Sequence, residues 1–293
     1  MPRTRHRACA SSETNLPFVS SEVETRVSSV STSLDTNGWG LHNNPMTPPR
    51  ILSIAGSDSG GGAGIQADIK TITMLGGYAM TAICALTAQD TTGVHAVVPV
   101  DPAMVAAQID ACVNDIGVDA VKIGMLGSPE IAAVVADRLE KLGIPIVFDP
   151  VMISTSGAAL ADAATIAAFE RLMAIATLTT PNVPELVALG GHAAMRARGV
   201  AYIAKGGDAE GPEVTDRLVI PGLPERMWTA PRIITRHTHG TGCTMSSAIA
   251  TFLASGASLE EAVEDAREFV RAALLAAPGF GAGHGPLGHQ AVR

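Results

Sequence analysis

Aromatic residues are scarce in this chain, 3% of 293 residues, with two Trp, two Tyr and six Phe. That disfavours a surface that binds through aromatic anchors, and the 30 Gly together with abundant Ala favour helices packed closely on a sheet. Cysteine is thin too. The four, Cys9, Cys84, Cys112 and Cys243, stand far apart with no Cys-x-x-Cys pair, so neither a zinc site nor a disulfide framework is expected, and a cytoplasmic setting is. Basic charge is in deficit: 20 Lys and Arg against 28 Asp and Glu give −8, which argues against nucleic acid or an anionic membrane as partner. No apolar run reaches the ~18 residues of a membrane span.

What is present is ordinary globular composition, 47% hydrophobic, with ample material for a core. Residues 1–48 stand apart: rich in Ser, Thr and Asn, without a sustained apolar period. Arg3, Arg5 and Arg7 hint at a transit peptide, but Glu13, Glu22, Glu24 and Asp35 argue against one. The segment is expected to be disordered, or an extension upstream of a true start at Met46. Residues 49–293 are expected to form a single domain. From Ile51 strands and helices alternate. Strands are expected at 51–55, 79–86, 97–100, 120–123, 146–148, 178–180, 200–204, 218–220 and 233–235. Helices are expected after Gly64 and over 104–113, 131–142, 163–174, 242–255 and 258–276. Repeated βα units predict an α/β fold with three layers, a mostly parallel central sheet covered by helices on both faces. In such a sheet ligands bind beyond the carboxyl ends of the strands.

The polar signals cluster at those ends. His239-Gly240-Thr241-Gly242-Cys243 opens a small, apolar helix. A helix amino terminus carries unpaired N–H groups and about half a positive charge, and glycine lets a phosphate approach the backbone. Cys243 in that turn is expected to have a lowered thiol pKa; the dull alternative is a buried, inert cysteine. The run 55–64 holds Gly56, Gly60, Gly61, Gly62 and Gly64 between a strand and a helix. It lacks the Gly-Lys-Ser/Thr ending of a P-loop and the acidic residue of a dinucleotide fold, and is either a cradle for a flat ligand or a plain turn. Asp68, one turn on, reads alone as helix-dipole stabilisation. Gln89 ends a strand with a carboxamide that both donates and accepts, which suits an aminopyrimidine-like ring. Asp149 and the Asn182-x-x-Glu185 segment place oxygen ligands at adjacent strand ends, suited to Mg²⁺ through waters; Asn182 and Glu185 also form a capping box on paper. Lys205 before two glycines can offer one charge to a polyphosphate, or be a solvated loop lysine.

These segments in this order closely resemble the hydroxymethylpyrimidine/phosphomethylpyrimidine kinases of the ribokinase-like superfamily. The matching stretches are Ile54–Asp58 with Gly61–Asp68, Thr87–Thr91, Lys122–Leu126, Asp149–Met152, Thr180–Asn182 with Glu185, Lys205–Gly207, Thr238–Thr244 and Gly283–Pro286. The resemblance implies a ribokinase-like fold, ATP and Mg²⁺ as cofactors, a small-molecule pyrimidine substrate, a homodimer and a place in thiamine biosynthesis. By matching positions it implies that Gln89, Asp68, Gly56, Met125 and Val151 hold the pyrimidine and that Asp149 and Glu185 organise Mg²⁺. It further implies that Lys205, Glu185, Asn182 and Thr238 serve the nucleotide, and that Gly240, Thr241, Gly242 and Cys243 form the anion hole at the reacting group. Two departures stand out: Thr155 where some members have lysine, and a short 186–199 crossover that predicts a trimmed helix. Pyridoxal kinase of the same superfamily, a non-catalytic pyrimidine- or nucleotide-binding regulator and a nicotinamide-dependent dehydrogenase are the rivals, the last disfavoured by the missing fingerprint.

Overall fold

The computed structural model describes residues 47–153, 157 and 160–292; the segment before residue 47 and Thr155 lie outside them. The chain opens on β1 (Arg50–Asp58), in which Ile51, Leu52 and Ile54 are fully buried. An unbroken apolar run of this kind belongs to a strand covered on both faces, each such side chain adding about 1.5–3 kcal/mol of burial. Then follow α1 (Gly64–Met74), β2 (Tyr78–Gln89), β3 (Val94–Pro99), α2 (Pro102–Ala111), β4 (Ala120–Ile123), α3 (Pro129–Leu139) and β5 (Ile146–Phe148). The chain continues through α4 (Ala163–Ile175), β6 (Leu178–Thr179), α5 (Val183–Ala188), α6 (Gly191–Ala197) and β7 (Tyr202–Ala204). It closes with β8 (Glu213–Val219), β9 (Arg226–Pro231), α7 (Thr241–Ala254) and α8 (Leu259–Leu275).

The strands form a nine-stranded sheet in the order β3-β2-β1-β4-β5-β6-β7-β8-β9. From β2 to β7 every pairing is parallel; β3 at one edge and the β8–β9 pair at the other are antiparallel. α1, α7 and α8 pack together, as do α2, α3 and α4, giving two helical layers around the sheet. The expected fold class is therefore observed. Between β4 and β5 on one side and β2 on the other, β1 is where the winding reverses. That is the switch point at which a doubly wound sheet opens a crevice.

The short crossover holds two small helices, α5 and α6, rather than one trimmed helix, because Gly190 and Gly191, both at positive φ, break it. The strand expected at 233–235 is absent: Ile234 is 89% exposed. β9 lies earlier, over Arg226–Pro231, pairing with β8 from Glu213↔Pro231 to Leu218↔Arg226. As the edge strand it is largely exposed and needs no apolar period to form.

Side chains cap most helix starts. Asp101, Ser128, Asp162, Asn182 and Ser258 accept from first-turn N–H groups of α2, α3, α4, α5 and α8. No side chain caps α1 or α7.

Candidate active site

The exit of β1 is held by its own aspartate. Asp58 Oδ1 accepts the Gly60 N–H at 2.8 Å; Oδ2 accepts those of Gly62 at 3.0 Å and Ala63 at 2.8 Å and lies 2.9 Å from His239 Nε2. Burial alone would raise the Asp58 carboxyl, but His239 and the loop N–H groups outweigh it and hold its pKa below the ordinary value. The glycine-rich run is thus a fixed cradle rather than a plain turn. Gly56 donates to the Met125 carbonyl at 3.0 Å, and a Cβ on it would sit 2.5 Å from Met125 Cε.

Across this cradle lies the start of α7. Gly240 has φ +88°, and a Cβ there would fall on the Gly62 carbonyl oxygen, so glycine is required twice over. The Thr241 N–H turns back to the Thr238 carbonyl at 3.3 Å, and with no side-chain cap the N–H groups of Gly242 and Cys243 are left to the cavity that these residues line.

Beneath the cradle is a buried ion pair. Lys122 Nζ stands 2.9 and 2.8 Å from the two Asp68 oxygens, and both side chains are fully buried. Ser53 and Ser247 donate to the same carboxylate at 2.6 and 2.8 Å. Burial opposes the Lys122 charge, yet Asp68, Cys243 and Asp149 raise its pKa. Asp68 is therefore spent under the floor and does not line the cavity, whereas Lys122 does. Its contribution to the pyrimidine pocket, implied by the resemblance, is support for the floor rather than a pocket wall. The Cys243 thiol also departs from expectation. Burial, with Asp68 and Asp149 close by, pushes it up to about 11, and Lys122 and the Gly64 N–H do not compensate. The helix end does not make it a thiolate.

The other end is polar and paired. Asp149, at the exit of β5, accepts from Thr180 Oγ1 at 2.8 Å and from Lys205 Nζ at 2.7 Å through the same Oδ1. Asn182 and Glu185 form the expected capping box: Asn182 Oδ1 takes the Glu185 N–H at 2.9 Å and Glu185 Oε2 takes the Asn182 N–H at 2.8 Å. Burial and the neighbouring Asp149 push the Glu185 carboxyl up to about 7 against the pull of Lys205. Burial works against the Lys205 ammonium, but Asp149 and Glu185 win and its pKa is raised. A Cβ on Gly242 would lie 3.2 Å from Lys205 Nζ and 3.4 Å from Asp149 Oδ2, which joins this cluster to the start of α7.

The cradle, the α7 start and the paired polar end face one cavity of about 610 Å³. It brings together Gly56, Gln89, Met125 and Val151 at one end and Asp149, Asn182, Glu185 and Lys205 at the other, with Thr238 and 240–243 between them. Among the described residues no cluster of three His, Cys, Asp or Glu could enclose a metal. Two buried carboxylates sharing one lysine fit Mg²⁺, which keeps waters and takes the remaining ligands from phosphate. Sequence reasoning missed the wall formed by β8, α8 and the residues just after β9. There Arg267 pairs with Asp216 at 2.7 Å and sits 5.7 Å from the Trp228 ring centre. Arg232 donates to the carbonyls of Gly207, Ala209 and Gly211 and so braces the loop after Lys205. No motif marks these arginines. Asp58 was visible, two residues before a glycine, as a residue that caps its own loop.

The geometry defines a class, the small-molecule kinases with a ribokinase-like fold, and comparison with solved structures agrees. The Bacillus subtilis pyridoxal kinase in its ADP complex superposes with a TM-score of 0.78 at 33% identity, covering 84% of this chain and 99% of that one. In sequence, the hydroxymethylpyrimidine/phosphomethylpyrimidine kinase of Streptomyces coelicolor is 43% identical over 259 residues, 84% of this chain and 96% of that protein. A bifunctional thiamine biosynthesis protein of Geobacter sulfurreducens is 44% identical over 262 residues; the match takes in 84% of this chain and about half, 53%, of that protein. The family model described as phosphomethylpyrimidine kinase matches residues 58–288. The chain belongs to the phosphomethylpyrimidine kinase family.

Proposed function

We propose that this protein uses ATP to phosphorylate 4-amino-5-hydroxymethyl-2-methylpyrimidine and then its monophosphate, supplying the diphosphate to thiamine biosynthesis. The observation that carries the reading is the joining, in one cavity, of a ring-sized end bearing the Gln89 carboxamide to a phosphate end bearing Lys205, Asp149 and Glu185, with the open start of α7 between them. A γ-phosphoryl group lying over Gly240–Cys243 meets N–H groups and Lys205 where negative charge spreads during in-line transfer. Asp149 and Glu185 would hold Mg²⁺, which would neutralise phosphate charge. Gln89, Gly56, Met125 and Val151 would hold the ring; Asn182 and Thr238 would border the nucleotide.

With its thiol at about 11, Cys243 stays protonated at neutral pH and acts as a hydrogen-bond partner of the acceptor hydroxyl rather than a resting base. Cys243→Ala should slow phosphorylation of the alcohol roughly tenfold while leaving the monophosphate step within about threefold. Equal loss of both steps would contradict that role. The same reading makes the protein a cytoplasmic homodimer, with edge strand β3, where Val97 and Val98 are exposed, as the face a second copy would meet. Sedimentation as a monomer would remove that part.

A second reading, pyridoxal kinase, is favoured by the Bacillus subtilis structure. ADP release measured with the pyrimidine alcohol, its monophosphate and pyridoxal separates the two. Higher kcat/KM for the two pyrimidines supports the proposal; preference for pyridoxal sinks it.

A further inference from the structure

Gln89 ends β2 with its carboxamide between two neighbours, one terminal atom 3.2 Å from His239 Nε2 and the other 3.3 Å from Thr87 Oγ1. Both neighbours have a fixed polarity. Asp58 accepts backbone N–H groups from Gly60, Gly62 and Ala63, so it is a carboxylate, and its Oδ2 lies 2.9 Å from His239 Nε2. That nitrogen must therefore carry a hydrogen. Thr87 Oγ1 gives its one hydrogen to the Ser57 carbonyl at 2.8 Å and has only lone pairs left for Gln89. With Gln89 Nε2 against His239 and Oε1 against Thr87, donor would face donor and acceptor would face acceptor. A half-turn of the amide, which barely alters its shape, lets Gln89 Oε1 share the single Nε2 hydrogen with Asp58 Oδ2 in a three-centre bond and turns an N–H toward Thr87 Oγ1.

We propose that Asp58 and His239 are positioning residues that lock the Gln89 amide with its oxygen toward the imidazole and its nitrogen toward Thr87, and so fix which way round the substrate ring lies. The inference rests on the pyrimidine reading above. Each end of the locked amide keeps one hydrogen-bonding position, a lone pair on oxygen and an N–H on nitrogen. A C=O beside an N–H complements a ring nitrogen flanked by an exocyclic amine, the 4-amino edge of the aminopyrimidine. A reversed amide would pair with the ring turned over and would carry the neighbouring hydroxymethyl group to the opposite side. Pyridoxal has no amine beside its ring nitrogen and gains nothing from this orientation. His239 immediately precedes Gly240, so a single run of chain sets both the heading of the ring and the start of the anion hole.

Two measurements test this. A long-range ¹H–¹⁵N spectrum of the ligand-free protein, with His239 assigned by His239→Phe, reads the imidazole directly. A pyrrole-type Nε2 is expected; a pyridine-type Nε2 overturns the proposal. Kinetics of His239→Phe and His239→Gln then read the consequence. The Phe variant should lose roughly tenfold in kcat/KM for the pyrimidine alcohol with KM for ATP unchanged, and Gln, which keeps a donor in reach of Asp58, should recover to within about threefold. Equal behaviour of the two variants would overturn it. A wild-type protein that ignores the pyrimidine alcohol sinks the proposed function alone, because the nitrogen spectrum still decides the orientation.

Discussion

The two ends of the cavity are built on different principles. At the ring end, the exits of parallel strands β1, β2 and β4 hold the site from beneath: Asp58 ties its own loop, Asp68 and Lys122 lock the floor, and Gly240 rests on Gly62. At the nucleotide end, β8, α8 and the loop after Lys205 form the wall, held by Arg232 on backbone carbonyls and by Arg267 on Asp216. The first end is specified by glycines and buried charge, where few residues fit. The second is specified by paired side chains, Lys205 with Asp149 and Arg267 with Asp216, each reaching across from a different element. The contrast teaches that one end takes its shape from backbone and the other from paired side chains; on the proposed function these are the acceptor and donor ends.

Substitutions can break or sharpen this contrast. The largest effect should come from the floor. Lys122→Met leaves Asp68 charged and buried without its partner and should cost about 3–5 kcal/mol of unfolding free energy, measured by urea denaturation. A variant as stable as wild type would show that the pair does not hold the ring end together. Next, Gly240→Ala should reduce kcat roughly 10²–10³-fold with the fold retained by circular dichroism, since the Cβ must displace either Gly62 or the α7 start. A near-normal kcat would mean that the anion hole lies elsewhere.

Glu185 brings a pH signature to the nucleotide end. Its folded-state pKa, about 7, lies above the ordinary carboxyl value, so the folded protein favours the protonated form and loses stability as pH rises from about 4.5 to 7. Glu185→Gln keeps the capping box and removes that loss. Without Mg²⁺ it should be more stable than wild type at pH 8 by about 3 kcal/mol and equal to it near pH 4, while turning over more slowly. A constant difference across pH would refute the assignment. The smallest effect is expected from Arg232→Ala, a rise of about threefold in KM for ATP with KM for the pyrimidine unchanged. A larger effect on the pyrimidine would dissolve the distinction between the two ends.

The same distinction governs what could be read from the sequence. β1, β4, β5 and the α7 start were legible because burial on both faces or positive φ leaves a contiguous mark in the chain, and Gln89, Asp149 and the Asn182–Glu185 box because a polar residue closing an apolar run stands out. Asp68 was legible as a position but not as a depth: nothing local shows that Lys122, 54 residues on, would claim its carboxylate. Cys243 misled because the helix-end rule for thiols assumes solvent, and here desolvation prevails. The strand expected at 233–235 failed for the reverse reason. β9 is largely exposed and shows no apolar period, while half-buried Ile233 beside exposed Ile234 imitates one.

Gly240 and Gly62 meet backbone to backbone, with no side chain between them to roll or slide. The acceptor pocket and the phosphate cradle are therefore a single anvil. Any closure over the site during turnover would have to come from the facing wall, the loop and hairpin braced by Arg232. An inhibitor shaped to the anvil alone would meet the same surface at every stage of the cycle, and one that also touches the hairpin would report which stage it had caught.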